Sequence, residues 1–375
     1  MKILIDISSL ASSRTGIGNY VFHLTEALLR GDPANRYCLF GPEVRRDPFP
    51  QYPKELRIRA WLCNVVALDH LARKGWVPRL PADVDVYHHP YPGLPFRTAP
   101  KTRLVVTVHD LTFLLFPDFV ADREYFRYLV RAVSEQVARA DHIVTDSHST
   151  AADVVRVFGT PPEKVSAVHL GFDRACFHPR PEPPDAALAD AIPQQFFLSV
   201  GTIEPRKNHL SLLRAFEQFV RRTGDTETHL VLAGGLGWRY EPVCAYIERS
   251  EQRRRIVHLS GLSSAAIASL YRRAVLTAYP SFYEGFGLPV LEAMACGSPV
   301  VASNASSLPE VAGDAGVLVD PRDVAALTEA LVRVSSDEGL RLQMREAGLR
   351  QADRFSWEAA ARETLAAYGK AVAAR

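Results

Sequence analysis

The chain is 375 residues long, 47% hydrophobic and 23% charged, enough apolar material for two cores of ordinary domain size. A formal net charge of +2 excludes nucleic-acid binding by bulk electrostatics. Five scattered cysteines (Cys38, Cys63, Cys176, Cys244, Cys296) form no C-x-x-C pair, which argues against a disulfide framework or a structural zinc and fits a reducing cytoplasm.

Met1-Lys2-Ile3-Leu4-Ile5 meets Asp6 too soon for a signal peptide, and no apolar run reaches about 18 residues, so no membrane span is expected. Lys2–Ser8 reads as a strand and Gly18–Leu29 as a helix. Tyr37–Phe40, Leu56–Ala60, Val84–Tyr87 and Leu104–Val108 read as further strands. Asp122–Ala140 is a long helix with Arg123, Arg127 and Arg131 along one side. His142–Thr145 and Val165–Val168 are strands, with a helix over Ser149–Phe158 between them. His178–Pro193, rich in Pro, Asp and Ala, reads as a linker. The pattern restarts with the strand Phe196–Val200 and a helix capped by Asn208, with Leu210, Leu213, Phe216 and Val220 on one face. His229–Ala233, Ile256–Leu259, Val275–Tyr279, Val300–Ser303 and Val317–Val319 are the remaining strands. Ser263 caps the helix carrying Ile267, Leu270 and Tyr271.

Alternating strands and helices in two runs predict an α/β protein with two Rossmann-like domains facing a cleft. The expected bounds are 1–180 and 195–355, joined by a linker at 181–194, with a final helix in 356–375. Ligands in such sheets bind beyond the carboxyl ends of the strands. Gly16, His109, Arg206 and Glu284 all follow predicted strands.

Two segments carry the chemistry. In Glu284-Gly285-Phe286-Gly287-Leu288-Pro289-Val290-Leu291-Glu292, two carboxylates flank a glycine-rich turn and a helix start. Pro289 suits the first turn, and Gly297 with Pro299 the stop, so a helix is expected over roughly 288–296. Its free N–H groups and dipole make an anion site. Carboxylates beside an anion need another task, and accepting hydrogen bonds from sugar or ribose hydroxyls fits. Phosphate between two hydroxyl-bearing groups describes a nucleotide sugar. The second segment is Gly201-Thr202-Ile203-Glu204-Pro205-Arg206-Lys207-Asn208. Cations at a helix N-terminus are disfavoured unless an anion is shared between them and the backbone amides, and a diphosphate meets that need.

The first segment resembles the E-x7-E element of the retaining glycosyltransferases with two Rossmann-like domains, the GT-B family called group 1 or family 4. The resemblance runs along nearly the whole chain, and the O-antigen and capsular mannosyltransferases look closest. It implies that Glu284 contacts the donor sugar and Glu292 the ribose. It implies that Arg206 and Lys207 clamp the diphosphate with the Gly285, Phe286, Gly287 and Leu288 backbone. Many members carry the Arg directly after the first Gly, where this chain has Thr202. The Gly16-Ile17-Gly18 turn lacks the third glycine of a dinucleotide fingerprint. The resemblance sets Gly16 and Gly18 across the cleft near the diphosphate and acceptor, and His109 near donor sugar and acceptor. Ser307-Leu308-Pro309-Glu310 resembles an element near the donor, with Glu310 supporting the site or capping a helix. The last helix, near Ser356–Lys370, resembles the family helix that crosses back to the first domain.

The resemblance therefore implies a hexosyltransferase, with mannose moving from GDP-mannose to a growing surface polysaccharide or lipid-linked glycan. The base, the sugar and the acceptor stay open from the residues themselves. A UDP-sugar enzyme or epimerase of the same fold, and a catalytically silent nucleotide-sugar-binding subunit, are the alternatives. No metal or other cofactor is expected, because the cations would do the metal's work. Asp83-Val84-Asp85 lacks nucleotide context and is not assigned a metal. His88, His89, His142 and His148 read as structural or surface residues. Two basic amphipathic faces, Arg123/Arg127/Arg131 with Tyr125, Phe126 and Tyr128, and Arg73/Lys74 with Trp76, suit either plain solvation or anionic lipid. The expected location is cytoplasmic, at the inner face of the plasma membrane if those faces touch lipid.

Overall fold

The computed structural model describes residues 1–11, 16–41, 47–57, 83–93, 97–120, 122–181 and 192–374. The Arg73/Lys74/Trp76 face, the end of the Leu56–Ala60 strand and most of the expected linker lie outside the described residues. Two compact units result. The first holds Met1–Leu115, Asp122–Gly171 and Ser356–Arg375, and the second Phe116–Ala121 and Phe172–Phe355.

The first unit is built on seven parallel strands: β1 (Lys2–Asp6), β2 (Arg36–Phe40), β3 (Glu55–Arg57), β4 (Val86–His89), β5 (Arg103–Val108), β6 (His142–Thr145) and β7 (Val165–Ala167). Their order is β3-β2-β1-β4-β5-β6-β7. Ile3, Leu4, Val105, Val106 and Val144 are fully buried, as strands covered on both faces require. β4 begins two residues later than its apolar run suggests. Asp85 is spent on entry to the sheet, where its N–H donates to the Lys2 carbonyl (2.8 Å) and its carboxylate accepts from the Lys2 N–H (2.8 Å).

The C-terminal helix Trp357–Ala373 is part of this first unit and packs along the Gly16–Gly31 helix. Ser356 caps it by accepting from the Ala359 N–H at 3.1 Å. Gly171 makes room for its first turn, since a Cβ there would lie 2.2 Å from the Trp357 nitrogen. Tyr368 on this helix reaches His88 Nδ1 at 2.7 Å, and His88 Nε2 meets the Thr107 hydroxyl at 2.8 Å. The histidine is thereby satisfied within the core.

The second unit has six parallel strands: β8 (Phe196–Val200), β9 (His229–Ala233), β10 (Ile256–Leu259), β11 (Leu276–Tyr279), β12 (Val300–Ser303) and β13 (Val317–Val319). They run in the order β10-β9-β8-β11-β12-β13. The helix His209–Thr223 covers the sheet with Leu212, Leu213, Phe216 and Phe219, which join Phe197, Leu230 and Leu232 in one core. Beside it lies Val324–Ser336, capped by Asp323. Strand order reverses between β1 and β4 in one sheet and between β8 and β11 in the other. Such switch points are where the crevices of doubly wound sheets open.

Candidate active site

The switch point of the second unit carries both motif segments. β8 delivers Gly201, whose φ of 145° turns the chain into the Glu204–Asn208 loop. β9 closes against that turn, since a Cβ on Gly234 would lie 2.1 Å from the Gly201 carbonyl oxygen. Pro205–Lys207 forms one 3-10 turn, and Asn208 at φ 57° leads into the His209–Thr223 helix. Asn208 stands at the N-cap position but does not cap. Its side-chain amide donates instead to the carbonyls of Pro280 (3.0 Å) and Pro321 (2.7 Å). Those carbonyls lie in the loops after β11 and β13, so one buried side chain ties three strand ends together. The Phe282 N–H also donates to the Arg206 carbonyl at 2.9 Å, holding the two motif loops side by side.

Four charged side chains meet there, three of them from the β8 loop. Glu284 Oε1 accepts from Lys207 Nζ at 2.8 Å, and its Oε2 accepts from Arg206 Nη1. Arg206 also donates from Nε to Glu204 Oε1 at 2.9 Å and to the Tyr283 carbonyl at 3.2 Å. Lys207 also donates to the Tyr279 hydroxyl and sits 4.9 Å over that ring. Glu204 and Glu284 are 3% and 6% exposed. Burial alone would push Glu284 up, but the charges of Arg206 and Lys207 outweigh it and hold the carboxyl down at about 2. Burial pushes Glu204 up against the pull of the same cations. Burial, reinforced by Arg206, lowers Lys207.

After Glu284 the backbone is braced by serines. Ser306 Oγ accepts from the Glu284 N–H at 2.8 Å, and Ser307 Oγ donates to the Glu284 (2.9 Å) and Phe286 (2.6 Å) carbonyls. Gly287, at φ 114°, starts the helix Leu288–Ala295, and a Cβ there would meet Leu308 Cδ2 at 2.6 Å. Gly297, at φ 78°, follows the end of that helix. Glu292 lies half-buried on it, with the Tyr271 hydroxyl 3.4 Å from its Oε2. Burial, with Asp173 adding to it, pushes its carboxyl up to about 8 against the pull of that hydroxyl.

The first unit holds the other expected residues. Gly16 and Gly18 open the Gly16–Gly31 helix, Gly16 exposed and Gly18 buried. His109 follows β5, with Nδ1 2.7 Å from Asp146 Oδ2 and Nε2 2.9 Å from the Pro90 carbonyl oxygen. Burial opposes a charge on this ring, but Asp146 outweighs it and raises the pKa. Both ring nitrogens are engaged by these oxygens, so a sugar hydroxyl could meet the ring only in exchange for one of them. Asp83 pairs with Lys2 at 2.7 Å, a structural use. Glu204, Asn208, Ser306 and Asp146 are site residues to which sequence reasoning assigned no role there. The one signal for Glu204 is its place two positions before Arg206.

Two family models match the chain: "Glycosyltransferase Family 4" over residues 14–175 and "Glycosyl transferases group 1" over residues 188–351. The O-antigen chain mannosyltransferase B of Escherichia coli is 32% identical over 98% of this chain and 99% of that protein. The MMP alpha-(1->4)-mannosyltransferase of Mycolicibacterium hassiacum is 34% identical over 72% of this chain and 66% of that protein. Among solved structures, sucrose-phosphate synthase from Thermosynechococcus elongatus superposes with a TM-score of 0.71 at 20% identity, covering 100% of both chains. Anabaena HepE, in complex with UDP and glucose, gives 0.68 at 17% identity over 98% of both chains.

Proposed function

This chain belongs to the group 1 and family 4 glycosyl transferases and is a glycosyltransferase, and from that premise we propose that it transfers mannose from GDP-mannose, with retention, to a glycan of a cell-surface polysaccharide. The observation that carries the reading is the Arg206–Lys207–Glu284 cluster, built on a buried carboxylate, beside the start of the Leu288–Ala295 helix. The mannosyl donor rests on the mannosyltransferase relatives.

The reaction breaks the bond between the anomeric carbon and the diphosphate and joins that carbon to an acceptor hydroxyl. Negative charge grows on the leaving diphosphate. Arg206, Lys207 and the Gly285–Leu288 backbone neutralise it, which is the stabilisation a transition state of this kind needs. The acceptor attacks from the face the diphosphate leaves, and its proton passes to a departing phosphate oxygen. Glu284 orients the donor sugar, and the Glu292 acid meets the ribose. No metal is required, since two cations already flank the leaving group. His109 with Gly16 and Gly18 serves the acceptor side. Arg123, Arg127 and Arg131 are exposed on one helix with Tyr125, 56% exposed, a face suited to anionic lipid beside a lipid-linked acceptor. No described helix is long and apolar enough to cross a membrane.

Calorimetric titration with GDP, UDP and ADP, without metal and then with magnesium, tests the reading. GDP binding best without metal is the expected result. A preference for UDP moves the donor to another sugar nucleotide. Binding of none removes the nucleotide-sugar reading.

A further inference from the structure

The cluster after β8 and β11 is formally neutral, because Arg206 and Lys207 are matched by Glu204 and Glu284. An anion approaching these cations finds both already engaged by Glu284, one carboxylate oxygen on each. Glu204 holds Arg206 from its other edge through Nε and Nη2, at 2.9 and 2.8 Å. Lys207 is further held by Tyr279, and Arg206 by the Tyr283 carbonyl. The loop carrying Glu284 is fixed by Ser306 and Ser307. A phosphate nearing the cations therefore competes with the Glu284 carboxylate for them. Leaving a buried carboxylate without partners is costly, so whatever displaces it must offer it donors.

We propose that Glu284 is a specificity residue that discriminates between the sugar-bearing donor and the free nucleoside diphosphate, by competing with phosphate for Arg206 and Lys207. The inference rests on the glycosyl-transfer reading above. A nucleotide sugar brings hydroxyls on the very group attached to its terminal phosphate. Those hydroxyls donate to Glu284 as it leaves the cations, and the exchange is balanced. Free nucleoside diphosphate brings no such donors. It also carries roughly one more negative charge near neutral pH, on the phosphate the sugar has left. Glu284 then returns to its cations and disfavours the product. Discrimination arises as much from what the carboxylate repels as from what it binds.

The test is calorimetry with GDP or UDP, whichever the wild type binds, and with the matching sugar nucleotide, no acceptor being present. Wild type is compared with Glu284→Gln and Glu284→Ala, each checked for folding by its melting curve. The expected result is that affinity for the free diphosphate itself rises at least ~10-fold in both variants, about 1.4 kcal/mol, while turnover falls. An unchanged or lower affinity for the free diphosphate, still measurably bound, overturns the inference and leaves the transferase reading standing. No nucleotide binding by wild type or variants overturns both.

Discussion

Replacing Glu292 by glutamine should stabilise the second unit, and by a margin that widens as the pH rises. The carboxyl ionises at about 8 in the fold, against an ordinary value of 4.5. Between those values the folded chain keeps a proton that the unfolded chain has released. Stability therefore falls as pH climbs through this window, and the loss is complete above about 8. An interval of about 3.5 units at about 1.36 kcal/mol each sets a ceiling near 5 kcal/mol. Glu292 is half-buried, and water screening reduces that ceiling. Between pH 6 and pH 9 a differential on the order of 2 kcal/mol remains. Glutamine keeps the shape and the hydrogen bond to Tyr271 without a proton to lose. Urea unfolding of both proteins at pH 6, 7, 8 and 9 measures the differential. Curves separated by a constant amount across that range would refute the reasoning, because the carboxyl would then be ionised in the fold at neutral pH.

Lys207→Ala should lower kcat/KM at least ~100-fold, about 2.7 kcal/mol, read from initial rates with the donor limiting. Near-wild-type rates would displace the diphosphate from this cluster. Asn208→Ala orphans two buried carbonyls across three strand ends and should cost about 2–3 kcal/mol in urea unfolding, together with activity. A cost of only a few tenths would mean that water replaces the amide. Asp83→Ala removes an exposed pair with Lys2 and should leave kcat within about twofold. A large loss of activity would revive a metal role for that carboxylate.

The strands of the second sheet were legible because each is a short apolar run bounded by turn residues. β8, β9, β10, β12 and β13 begin and end where the residues say. The helix Glu338–Ala352 was not read from the sequence. Only Met344, Gly348, Gln351 and Ala352 are buried along it, so no apolar stripe marks it. Asn208 shows the limit of local rules. An Asn before a helix reads as a cap, yet carbonyls 72 and 113 positions away claimed its amide. Glu284 and Lys207 were each recognisable as functional residues. Their pairing was not, because 77 positions separate them and only the fold brings them to one switch point. The perturbed acid at Glu292 was equally hidden, since its pKa comes from burial and Asp173, which no spacing encodes.

The place of the C-terminal helix has a consequence for biosynthesis. The first unit begins at Met1 but takes its last piece from the 17 residues of Trp357–Ala373. Nearly all of the second unit is encoded between those two ends. On the ribosome the second sheet is complete before the first has its closing helix, so the half that emerges first is finished last. Until then Tyr20, His23 and His88 lack Trp357 and Tyr368, their ring partners on that helix. A chain released at Phe355 would hold a whole second unit and an unfinished first one.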